Sequence, residues 1–104
     1  MAWLVLVISG LLESVWAVAL SLSAGFTRPL ASVVFGVALL FSMIGLGYAL
    51  RAIPVGTGYA VWVGIGATST ALAGMLFLGE SASVMRALSL LLVLAGVIGL
   101  KLFL

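Results

Sequence analysis

The chain has 104 residues, 66% of them hydrophobic and 6% charged, with four Lys/Arg against two acids and no histidine or cysteine. So few charges cannot clothe a water-soluble globule of this length, which excludes a soluble domain and points to an all-α integral membrane protein. The net charge of +2 is too small for a nucleic-acid surface, and without cysteine no disulfide or thiolate metal site can form.

The first apolar run is Met1 to Leu22, read as a helix over residues 2–21. Its start lacks the basic stretch of a signal peptide and no cleavage-like polar region follows, so it is expected to stay in the mature protein. Glu13 is the only acid inside it. A carboxylate at bilayer depth costs several kcal/mol and is a functional-site hypothesis by default. No cation lies nearby in sequence, so Glu13 must hold either a proton or a cation from outside the protein. A site that does both in turn is a proton-coupled cation exchanger. Ser9, Gly10, Trp16 and Ala17 lie three or four positions from Glu13 and share its face. Gly10 and Ala17 leave room, and Trp16 offers an aromatic face and an indole N–H. The mid-helix depth of Trp16 argues against an interfacial anchor, whereas Trp3 reads as one.

The segment Ser21–Pro29 is polar and punctuated by Gly25 and Pro29, so it is a loop. A second helix is expected over 30–50, with Ser42, Ala38 and Gly45 on one face. A serine in such a helix most often bonds its own i−4 carbonyl, so Ser42 alone is a weak signal for a pocket. Arg51 to Gly56 forms the second interruption, and the third helix is expected over 55–78. Tyr59 and Trp62 are three apart on one face, each with a polar tip that needs a partner when buried. Gly56, Gly58, Gly64 and Gly66 mean close helix packing, a hinge, or both.

Gly79 to Ser83 is the third interruption, with Glu80 read as a solvated loop charge. The fourth helix is expected over 84–103. Ser89 and Gly96 are seven apart, the spacing of a packing seam, which assigns this helix to a dimer contact. Each segment is close to the ~20 residues that cross ~30 Å of hydrocarbon, and the short loops make neighbours antiparallel. Arg28 and Arg86 then fall on one side and Arg51 and Lys101 on the other, all near helix ends where they can snorkel. That even split permits insertion in both directions. An antiparallel pair of copies would have the in-plane two-fold that transporters otherwise build from inverted repeats. Four helices are too few to enclose a substrate path, so a homodimer is the smallest working unit.

Taken together, the chain resembles the small multidrug resistance family of bacterial exporters. The resemblance is carried by four short helices, Glu13 in the first, the loop Gly25-Phe26-Thr27-Arg28, and Pro54-x-Gly56-x-x-Tyr59-Ala60-x-Trp62-x-Gly64-x-Gly66. Trp16, Ser42 and Gly99-Leu100-Lys101 are similar to its guanidinium-exporter branch. Ser21 stands where the family often has lysine, and Gly58 where alanine is common. The resemblance implies an antiparallel, dual-topology homodimer in the bacterial inner membrane that exchanges protons for small cations without a cofactor. Glu13 would bind substrate or proton, and Gly10, Trp16, Ser42, Tyr59 and Trp62 would line the pocket. Guanidinium is planar and always charged, so a carboxylate meets it with two hydrogen bonds and an indole face adds cation–π attraction. Three alternatives stay open: an exporter of quaternary ammonium cations, a structural subunit of a membrane complex, and a passive cation channel. An enzyme is not expected, because no base, metal set or cofactor loop is present.

Overall fold

The computed structural model describes residues 1–103. Four helices run in chain order: α1 Ala2–Leu22, α2 Pro29–Ala49, α3 Val55–Phe77 and α4 Val84–Leu102. All four are long and apolar enough to cross a membrane. At 1.5 Å per residue the shortest still reaches about 28 Å.

The turns between them are built locally. Ser23 is fully buried and closes α1; its Oγ donates to the Leu20 carbonyl at 2.7 Å and accepts from Phe26 N–H at 3.2 Å. Its carbonyl accepts from Thr27 and Arg28 N–H. These bonds hold Ala24, Gly25 and Phe26 in the left-handed region, where only glycine sits without steric cost. Pro29 then opens α2 at the first position, where its missing N–H costs nothing. Buried Ile53 plugs the second turn, and Pro54 precedes α3. Gly79, also left-handed, ends the α3 turn, and the Gly74 carbonyl accepts from both Leu78 and Glu80 N–H. Ser83 caps α4 by accepting from Arg86 N–H at 3.1 Å.

The four helices form a slab 42 × 34 × 17 Å. Helix α1 is its centre and packs on both α2 and α3; α4 packs on α3 alone. Leu6, Leu46, Ala49, Ile53, Val61 and Trp62 make the core, at the end where α1 begins. Small residues set the distances. A Cβ on Gly10 would press on Ile65 and the Trp62 carbonyl, so α1 and α3 cross there nearly in backbone contact. A Cβ on Gly45 would fall on the Ser9 hydroxyl, which fixes the α1–α2 crossing. Large apolar side chains such as Leu40, Leu76, Leu92 and Ile98 point outward, as a surface bathed in hydrocarbon requires.

Candidate functional site

Glu13 lies near the middle of α1, and its carboxyl rests directly on Gly66 of α3: a Cβ at that position would occupy the same space. Gly66 is buried and Glu13 half-buried. Oε1 of Glu13 is buried without a hydrogen-bond partner in this chain, and so are the indole nitrogens of Trp16 and Trp62. Unpaired buried polar groups are costly, more so for a group that can carry charge. Glu13 and Trp16 lie on α1 and Trp62 on α3, so two packed helices carry these unpaired groups.

The other expected residues are distributed more widely. Trp16 is half-buried one turn beyond Glu13, its ring edge-on to Phe35 of α2 with centroids 6.0 Å apart. Trp62 is 6% exposed, and Tyr59 packs on its ring at 5.7 Å while itself remaining 54% exposed. Ser42 is fully buried, but its hydroxyl does not turn back to its own helix. It donates across to the Ser9 carbonyl of α1 at 2.8 Å. The i−4 bond expected of a lone intramembrane serine gives way because Gly45 lets α1 approach. Ser9 makes that local bond instead, donating to the Val5 carbonyl at 2.7 Å. The Ser42 bridge therefore ends one turn short of Glu13 and ties down the helix that carries it.

The glycines of α3 divide by partner. Gly58 sits under Leu50, Gly64 under Val97 of α4, and Gly66 under Glu13. The helix runs unbroken through all of them. Ser89 and Gly96 are exposed on α4, and nothing lies within 4 Å of a Cβ built on Gly96. Glu80 is an exposed loop charge as expected, but it is paired: Arg86 donates to its Oε1 at 2.7 Å and to the Ser81 carbonyl. Arg86 therefore does not simply snorkel. Trp3 is half-buried, with Lys101 Nζ 5.5 Å from its ring centroid. The sequence reading passed over Thr68, which is buried with an unpartnered hydroxyl. Its spacing from Gly58, Val61 and Ile65, at i+10, i+7 and i+3, places it on the same helical stripe, a signal that was available.

Among the described residues no three His, Cys, Asp or Glu side chains come together. What the arrangement offers instead is one carboxyl, held on a glycine between two apolar helices, with indole donors on the same two helices. Residues 1–93 match the family described as Small Multidrug Resistance protein. The chain belongs to that family. It is 56% identical over 102 residues to a protein of Yersinia pseudotuberculosis serotype I (strain IP32953) named Guanidinium exporter, covering 98% of each chain. Proteins of the same name from Citrobacter freundii and Escherichia coli (strain K12) are 55% and 53% identical over 102 residues, covering 98% of this chain and 97% of theirs. These small multidrug resistance relatives are named as transporters, not as enzymes. With four helices long enough to span, this member of the family is a multi-pass membrane protein.

Proposed function

We propose that this chain exports guanidinium and small guanidinyl cations in exchange for protons, as an antiparallel homodimer in the bacterial inner membrane. The observation that carries the reading is the Glu13 carboxyl, the lone acid within the spans, seated on Gly66 with one buried oxygen unpartnered. The guanidinium-exporter names of relatives at 53–56% identity supply the substrate class.

The chemistry follows from competition for one carboxyl. A proton neutralises it from one side of the membrane; a guanidinium ion does so from the other, through two parallel N–H···O bonds. The indole faces of Trp16 and Trp62 add cation–π attraction once water is excluded, on the order of 0.5–2 kcal/mol. Their N–H groups supply donors that hold the carboxylate oxygens in plane with the ion. The empty, charged site resists reorientation because it would carry an unpaired charge through hydrocarbon, so proton and cation must alternate.

A single slab cannot surround such an ion. The second copy would close the pocket, with the exposed α4 face bearing Ser89 and Gly96 as its contact and two Glu13 carboxyls brought to one site. Ser42 and Tyr59 would act from the edges, Ser42 by fixing α1 through Ser9 and Tyr59 by packing on Trp62.

Guanidinium-driven proton movement in proteoliposomes tests the proposal. Wild type is expected to couple the two ions, Glu13→Gln to abolish coupling, and a bulky quaternary ammonium to be transported poorly. Proton-driven export by Glu13→Gln would sink it.

A further inference from the structure

Two cavities flank the first turn of α1. One, of about 330 Å³, is lined by Ala2, Tyr48, Arg51 and Ala52. The other, of about 380 Å³, lies between α1, α3 and α4, and Trp3, Val7, Ile65, Val97, Ile98 and Lys101 are among its lining residues. Adjacent residues, Ala2 and Trp3, line the two, so they are neighbours at one end of the slab. The apolar cavity runs from the helix ends about two turns inward, since Val7 lies one turn below Trp3 and Val97 one turn below Lys101.

Among the described residues the charged side chains at this end are all basic. Of the chain's two acids, Glu13 is at mid-span and Glu80 is at the opposite end, bound to Arg86. Arg51 and Lys101 therefore face no carboxylate among the described residues, and the Tyr48 hydroxyl adds a donor beside Arg51. We propose that this end holds one anionic phospholipid. Its phosphate lies against Arg51, Tyr48 and Lys101, and an acyl chain fills the groove along Trp3, Val7, Ile65 and Val97.

Three arguments support this occupant. Interfacial Lys and Arg beside aromatic rings sit at the depth of lipid headgroups, and basic recesses between helices suit anionic ones. A zwitterionic lipid would bring its own ammonium toward two cations that no described carboxylate side chain pairs. A second copy of this chain is a poor occupant in either orientation: the same end repeats Arg51 and Lys101, and the opposite end offers Arg28 and an acid already tied to Arg86. The inference rests on membrane insertion alone and stands apart from the transport reading.

Spin-labelled phosphatidylglycerol and phosphatidylcholine, titrated against the full chain in bilayers, test it. Wild type should favour phosphatidylglycerol by about ten-fold, equal to about 1.4 kcal/mol. Arg51→Gln/Lys101→Gln should bring the ratio to within about two-fold of unity, the single changes should fall between, and Arg28→Gln at the other end should leave it unchanged. Val7→Trp, which fills the groove with the charges intact, should also weaken phosphatidylglycerol association. Equal binding of both lipids by wild type would overturn the proposal. So would the same loss in Arg28→Gln as in the double variant, which would reduce the effect to net charge. A fall in dimer fraction on neutralising Arg51 and Lys101 at fixed lipid composition would assign the groove to a second copy instead.

Discussion

Helices α1 and α4 are nearly the same length, 21 and 19 residues, and both are strongly apolar. They are used in opposite ways. Helix α1 buries Leu6, Ser9, Gly10 and Ala19 between two neighbours, while α4 buries nothing and leans on α3. The difference does not come from hydrophobicity, which gives no net attraction between helices already in lipid. It comes from where the small residues face. Gly10, Gly45 and Gly66 let α2 and α3 converge on α1; Gly64 alone brings α4 against α3, and Gly96 faces open space. A helix surrounded by close contacts can hold a carboxyl in a fixed place. A helix with a free face is available for a partner.

The sharpest way to break this contrast is Gly66→Ala. The added methyl occupies the space of the Glu13 carboxyl, so the side chain must leave its seat. Displacing a binding group by about 1 Å can cost about 100-fold, and guanidinium-coupled flux in proteoliposomes should fall by about that factor. Helicity and the folded fraction should change little, because the neighbour that yields is a side chain. Full activity in this variant would mean that the carboxyl works from another position.

Next in size are two glycines at different interfaces. Gly45→Ala forces a methyl onto the Ser9 hydroxyl at the α1–α2 crossing, and Gly64→Ala presses on Val97 at the α3–α4 contact. Overpacking of a tight contact costs about 1–3 kcal/mol. Gly45→Ala should sit at the upper end, since Ser9 is pinned by its bond to Val5 and lies beneath Ser42. Gly64→Ala should sit at the lower end, because α4 packs closely on α3 alone, meets α1 only through Lys101 over Trp3, and can tilt away. Reversible unfolding in mixed detergent measures both, and equal losses would erase the distinction drawn between the two helices.

Much of the architecture could be read without coordinates. Pro29, Pro54 and Gly79 punctuate four runs of spanning length, and a single acid in such a run marks itself. What could not be read was which helix each small residue faces. Periodicity puts Gly66 and Gly64 on α3, but only the rotation and crossing of α1 and α4 decide that one seats Glu13 and the other meets Val97. The same limit explains Ser42, whose bond runs to α1 and not along its own helix. It explains Glu80 too, since a six-residue separation across a turn gives no pattern for its pairing with Arg86.

Ser42→Ala removes the cross-helix bond to the Ser9 carbonyl and leaves that carbonyl with its helical partner. Interhelical hydrogen bonds of this kind average about 0.6 kcal/mol, so stability should drop only slightly. Flux should fall more than stability, because the bond lies one turn from Glu13 and restrains the helix that carries it. Matching small losses in both would make Ser42 a packing residue and nothing more.

The smallest effect belongs to the α3–α4 turn. Glu80 and Arg86 are both substantially exposed, and pairs of that kind contribute about 0–1 kcal/mol. Yet this pair closes the turn from which α4 hangs. The Glu80 carboxyl lies over Gly74, and Arg86 belongs to the first turn of α4, where Ser83 already caps it. Glu80→Gln should therefore cost well under 1 kcal/mol in unfolding, and less still in high salt. If α4 owes its position to Gly64 and Val97, the variant should leave dimer fraction and flux unchanged. A loss of dimer without a loss of stability would show instead that the turn aims α4, and that its free face depends on the angle the ion pair sets.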